Sequence, residues 1–125
     1  MIRGLRGATT VEQNDAEAIA QETEALLGQM IEKNDISPEQ VAHVWFTVTE
    51  DIDAAFPAKA ARQFKGWEYV PVMCAREIPV PGSLEKCIRI MLTADTKKAQ
   101  NEMHHIYLNK AVVLRPDLEL TDTKE

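Results

Sequence analysis

The chain is short of the features that mark most targeting and catalytic classes. It holds two cysteines in 125 residues, Cys74 and Cys87. They are too few and too plainly spaced for a disulfide framework or a zinc site, so a reduced compartment is expected. No stretch approaches the roughly 18 consecutive apolar residues of a membrane span. The opening Met1-Ile2-Arg3-Gly4-Leu5-Arg6 has neither the apolar run nor the cleavage site of a secretory signal. These absences predict a cytoplasmic protein with no membrane partner. Positive charge is scarce as well: the net charge of −6 argues against a nucleic-acid partner, because phosphate binding needs a basic surface. There is no glycine-rich phosphate loop, no HExxH helix, no paired-cysteine metal spacing and no G-x-S-x-G nucleophile turn. His104 and His105 stand beside no carboxylate cluster, and as neighbours on a strand they would face opposite ways, so no metal is expected there. Cys74 has no clear catalytic base beside it and reads as a packed thiol rather than a nucleophile.

What is present divides unevenly. Residues 12–53 carry a run of acids, from Glu12 to Asp53, against the single base Lys33. Residues 54–116 reverse the balance with Lys59, Arg62, Lys65, Arg76, Lys86, Arg89, Lys97, Lys98, Lys110 and Arg115. The acidic part fits a solvated helix face. The basic part either fits ordinary surface charge or converges on a small anion.

The chain is long enough for one domain with a core of its own. Ile2–Val11, with its β-branched residues, reads as a strand. Asn14 with Glu17 resembles a capping box, so a helix is expected to start near Asp15. Ile19, Thr23, Leu26, Leu27, Met30 and Ile31 then recur at helical spacing. Ser37-Pro38-Glu39-Gln40 predicts a capped short turn before a strong strand over 41–49. Phe56-Pro57 opens a second expected helix, through Phe64, on which Lys59 and Arg62 share a face. Trp67–Cys74 reads as extended, with Pro71 demoting it to an edge or a bend. Cys87–Thr93 is a strand whose period of two sets Arg89 opposite Ile88, Ile90 and Leu92. His105–Leu114 reads as a last long strand, and residues 119–125 as a loose polar tail after a domain spanning 1–118. This order predicts an α+β fold: one mixed sheet covered by two helices. A single covering layer leaves a sheet face or edge to hide, which self-association would do.

Arg89 is the most telling residue. A guanidinium among strand aliphatics is costly to bury without a partner. Either Glu77 or Glu85 pairs with it, or it belongs to an anion site whose forked donors match carboxylates.

Several blocks together resemble the AroH-class chorismate mutases. They are Ile2-Arg3-Gly4-Leu5-Arg6-Gly7-Ala8-Thr9-Thr10, Ala55-Phe56-Pro57-Ala58-Lys59-Ala60 and Gly66-Trp67-Glu68-Tyr69-Val70-Pro71-Val72. Lys86–Met91, His105–Leu108 and Val112–Leu118 continue the match, so the resemblance is colinear over 1–118. It implies a homotrimer forming a pseudo-α/β barrel core, with active sites in the clefts between subunits and no cofactor or metal. It implies conversion of the chorismate dianion to prephenate, on the route to phenylalanine and tyrosine. One subunit would supply Phe56, Ala58, Lys59, Arg62, Val72, Met73, Cys74 and Glu77 to each cleft. Its neighbour would supply Arg6, Arg89, Tyr107, Leu114 and Arg115. Met73 departs from the threonine common at its position in that family. The resemblance gives Arg89 the ether oxygen, Arg6 and Tyr107 a carboxylate, and Glu77 the ring hydroxyl. A trimer with the same pocket that binds an aromatic carboxylate without converting it is the rival reading. A small trimeric hydrolase or deaminase of reactive imines is a third.

Overall fold

The structure, a computed structural model, describes residues 1–114. Arg115 and the expected tail at 119–125 lie outside the described residues. Strand β1 (Ile2–Thr10) leads into helix α1 (Ala16–Asn34), followed by β2 (Val41–Val48), β3 (Val72–Arg76), β4 (Cys87–Asp95) and the short β5 (Ile106–Tyr107). The five strands form one mixed sheet in the order β3–β2–β4–β1–β5. The β1–β4 and β4–β2 pairs are antiparallel; β2–β3 and β1–β5 are parallel.

Helix α1 covers one face of this sheet. Ile19, Thr23, Leu26, Leu27 and Met30 are buried along its inner side, as their spacing predicts. Its N-cap is Asp15, one residue beyond Asn14, with Asp15 Oδ1 accepting from the Ala18 amide at 2.8 Å. Asn14 is used otherwise: its Oδ1 accepts from the Asp53 and Ala54 amides at 3.1 Å, tying the helix start to the loop after β2. The helix and β1 approach closely at Gly7, where an added Cβ would lie 2.6 Å from Met30 Sδ and 3.0 Å from Leu26 Cδ1. Val44, Phe46, Ile90, Leu92 and Leu5 complete the core beneath α1.

Three expectations need correction. The second helix is a run of 3-10 turns over Pro57–Gln63, not an α-helix. Its amides reach back three residues (Lys59 to Phe56 at 3.3 Å, Phe64 to Ala61 at 3.2 Å). In that geometry residues three apart eclipse, so small buried Ala60 lies over Pro57, while Lys59 and Arg62 still align. The stretch at Trp67 is not extended until Val72. Gly66, at φ 87°, turns the chain into one 3-10 turn over Trp67–Tyr69, which buries the Trp67 ring. Strand β3 follows Pro71 and lies at the sheet edge, as the proline requires. The last long strand is broken: β5 ends at Tyr107 and 3-10 turns occupy Asn109–Leu114. Asn109 adopts a left-handed φ of 54°, a conformation asparagine tolerates. Its amide donates to Thr9 Oγ1 (3.0 Å), the Thr10 carbonyl (3.2 Å) and Glu22 Oε1 (2.9 Å), and these bonds replace further strand pairing.

Among the described residues, the face of the sheet away from α1 is only partly covered. Tyr107, Ala8, Cys87 and Ala111 form a small buried cluster at one end of it. Across the middle, the register aligns Arg6, Met91, Trp45 and Met73. Trp45, Met91 and Met73 remain 39%, 43% and 59% exposed, an apolar surface left over by the folding of one chain. No helix among the described residues is long and apolar enough to cross a membrane.

Candidate active site

Register and strand period bring one set of charged side chains together on the uncovered face. Arg89 lies opposite Thr47 on β2 and Ala8 on β1, with Arg6 one step along the same face. Glu77 arrives from the end of β3, where its amide donates to the Val48 carbonyl at 2.8 Å. That bond extends the parallel ladder by one residue, so Glu77 shares a face with Ala75, and therefore with Thr47 and Arg89. Arg89 Nε donates to Glu77 Oε2 at 2.7 Å and Nη2 to Oε1 at 2.6 Å, a forked pairing. The Thr47 hydroxyl donates a third hydrogen bond, to Oε2. Glu85, the alternative partner, takes no part.

The electrostatics follow from those contacts. The Arg89 hydrogen bonds outweigh partial burial and hold the Glu77 carboxyl below its ordinary range, with the Thr47 hydroxyl adding to the effect. Glu77 in turn raises the Arg89 guanidinium, so both partners stay charged. Arg89 is 41% exposed, and pairs this open add at most about 1 kcal/mol to stability. The pair fixes a guanidinium in place more than it holds the fold together. Arg6 sits beside it with its Nε buried and without a hydrogen-bond partner among the described residues. The Arg6 backbone amide donates to His105 Nδ1 at 3.0 Å. His105 follows His104, whose amide is clamped by the buried Asn34 side chain at 2.7 Å, so α1 fixes the position of Arg6 through that loop. Arg6, Thr47, Glu77, Arg89, Ile90 and Met91 line a shallow cavity of about 200 Å³.

The other expected residues gather elsewhere. Phe56, Lys59 and Cys74 line a separate cavity of about 580 Å³, together with Ala75, Arg76 and the Asp53–Pro57 loop. Cys74 points to the α1 side of the sheet, in register with Phe46 and Ile90. Val72 and Ala58 pack partly buried against the main core, Arg62 is exposed, and Met73 stands on the opposite face beside Trp45. Tyr107 is buried and Leu114 packs against its cluster. The two cavities share no lining residue. Within one chain Glu77 therefore stands with Arg89 and Arg6, not with Phe56 and Lys59. Thr47 was missed by sequence reasoning, because a lone threonine in Val44-Trp45-Phe46-Thr47-Val48 reads as ordinary strand filler. No group of three or more His, Cys, Asp or Glu side chains among the described residues is placed to hold a metal ion.

The family model for chorismate mutase type I matches residues 2–118. The chain belongs to this family. It is 52% identical over 125 residues to the chorismate mutase AroH of Bacillus subtilis, covering all of this chain and 98% of that one. It is 54% identical over 120 residues to the chorismate mutase AroH of Thermus thermophilus, covering 95% of this chain and 98% of its relative. Among solved structures, a chorismate mutase from Clostridium thermocellum superposes with a TM-score of 0.85 at 51% identity, covering 88% of this chain and 97% of that one.

Proposed function

We propose that the protein is a chorismate mutase, an isomerase that converts chorismate to prephenate in aromatic amino acid synthesis. It works in the cytoplasm as a homotrimer, without cofactor or metal, through a domain spanning 1–118. The observation that carries this reading is the forked Glu77–Arg89 pair standing beside the unspent Arg6 Nε on an uncovered sheet face. Substrate carboxylates suit such fixed guanidinium donors.

The reaction is an intramolecular rearrangement in which one C–O bond breaks as a C–C bond forms, with no proton or group passed to the enzyme. The protein has to hold the enolpyruvyl arm over the ring in a near-attack geometry. It then stabilises the charge that separates as the C–O bond breaks. Arg89 supplies the donor for the ether oxygen, where negative charge grows in the transition state. Arg6 and Tyr107 bind a carboxylate. Glu77 faces the ring hydroxyl and favours the positive charge building on the ring. Phe56, Ala58, Val72, Met73 and Leu114 are apolar walls, Cys74 contributes backbone, and Lys59, Arg62 and Arg115 steer the dianion and help close the site around it.

The trimer is supported by how the site divides. A cavity of about 200 Å³ is smaller than the roughly 300–1,000 Å³ usual for a ligand pocket, so one chain holds an incomplete site. The exposed Trp45, Met73 and Met91 give a neighbouring subunit an apolar surface to cover as it brings its Phe56–Lys59 side to Arg89, closing the barrel-like core. Purified protein in a chelating buffer tests the assignment. Chorismate absorbance is expected to decay well above the spontaneous rate with prephenate as the product. Binding of chorismate without decay would contradict it.

A further inference from the structure

Resting on that reading, one residue outside the expected site governs how Arg89 is presented. A carboxylate can take a guanidinium side-on, through Nε and one Nη, or end-on, through both Nη atoms, and the two pairings turn the guanidinium differently. Here the pairing is side-on: Glu77 Oε2 takes Arg89 Nε and Oε1 takes Nη2. Arg89 Nη1 and one N–H of Nη2 are left with no hydrogen-bond partner among the described residues, and the residue lines the shallow cavity with them. What distinguishes the two carboxylate oxygens is the Thr47 hydroxyl, which donates to Oε2 alone. Thr47 sits on the central strand β2, opposite Arg89, and its β-branched side chain is stiff about χ1. The Glu77 backbone is fixed from the same strand through the Val48 carbonyl. Strand β2 thus holds the carboxylate at both ends, and the carboxylate holds the arginine.

We propose that Thr47 is a positioning residue. By pinning Glu77 Oε2 it selects the side-on pairing, and so sets the direction in which Arg89 offers its remaining N–H groups to the ether oxygen of chorismate. The hydroxyl acts through Glu77. Its third hydrogen bond also accords with a carboxylate held ionised.

Valine is the matched test, since Thr47→Val keeps shape and strand preference while removing the donor. Misplacement of a reacting group by around 1 Å can cost about 100-fold, so Thr47→Val is expected to lower kcat by roughly 10- to 100-fold with KM changed little. Thr47→Ser, which keeps the hydroxyl, is expected to stay within a few-fold of wild type. On the residual activity of Glu77→Ala, which leaves the hydroxyl no side-chain oxygen to bind, Thr47→Val should cost nothing further. A second readout does not depend on turnover: the Arg89 Nε–H resonance of the free protein, slow to exchange in wild type and Thr47→Ser, should shift and broaden in Thr47→Val and Thr47→Ala. Wild-type kcat and an unmoved Arg89 resonance in Thr47→Val would overturn the proposal. So would a full loss in Thr47→Ser, or an equal loss in the Glu77→Ala background. A wild-type chain that leaves chorismate unchanged refutes the functional reading instead, and the Arg89 resonance then decides the role of Thr47 alone.

Discussion

The division of the site can be tested by mixing inactive chains. Arg89→Ala breaks the half of the cleft that holds Arg6 and Glu77, and Lys59→Ala breaks the half that holds Phe56 and Cys74. If each cleft joins one half from each of two chains, an intact cleft needs its Lys59 half from the Arg89→Ala chain and its Arg89 half from the Lys59→Ala chain. Random exchange at equal amounts satisfies both conditions in about one cleft in four, because each half is drawn independently from two chain types in a closed ring. The all-one-kind trimers have no intact cleft, and every mixed trimer has one. Co-refolded chains, with mixing verified by native mass spectrometry, should therefore show about a quarter of wild-type kcat per cleft. The companion mixture of Arg89→Ala with Glu77→Ala should stay dead, because the ion pair puts both residues in the same half. Mixed trimers that remain inactive in the first case, or recover in the second, would refute the division.

Other outcomes follow from the packing and the charges. Gly7→Ala places a methyl 2.6 Å from Met30 Sδ beneath α1, and overpacking of this kind costs roughly 1–3 kcal/mol, read as a lower denaturant midpoint. Between about pH 6 and 9 kcat should be nearly flat, because the arginines stay protonated and Glu77 is held ionised; a bell centred near 7 would point to acid–base chemistry. Asp51 is pushed up by burial but drawn down further by the Thr49 hydroxyl and the Lys86 amide, leaving it, like Glu77, below its ordinary value. Both carboxyls bind protons more weakly folded than unfolded. Their contribution to stability is present at neutral pH and fades as pH falls below the ordinary values of 4.5 and 3.8, a decline that Asp51→Asn should flatten in denaturant titrations. Burial pushes the Cys87 thiol up to about 11, so thiol reagents at pH 8 should reach Cys87 only after unfolding.

Local signals carried much of this structure. The period of two in Cys87–Thr93 correctly set Arg89 apart from Ile88 and Ile90, and the spacing of Ile19, Leu26 and Met30 located the buried side of α1. Pro71 announced an edge strand. What stayed hidden depended on contacts distant in sequence. Whether Glu77 or Glu85 pairs with Arg89 turns on the β2–β3 register, which puts Glu77 one residue past the strand end. The break at Asn109 depends on partners in β1 and α1, about 100 residues away by the Thr9 contact. Apolar Val112-Val113-Leu114 mimics a strand when those partners are out of view. The 3-10 form of Pro57–Gln63 differs from an α-helix only in which carbonyl each amide meets, and alanine and arginine serve both. The blocks resembling the mutase family supplied the charged set. The structure pairs Glu77 with Arg89 within one chain and brings in Thr47.

The central claim is that a fixed cation on β4 carries the reaction. The most direct measurement is kcat for chorismate in wild type and Arg89→Ala, side by side, with chorismate binding measured on both. Loss of one donor at a developing oxyanion costs about 10²–10³ in kcat, and at least that loss is expected with binding reduced far less. An Arg89→Ala chain that folds, binds chorismate and turns it over at the wild-type rate would contradict the account.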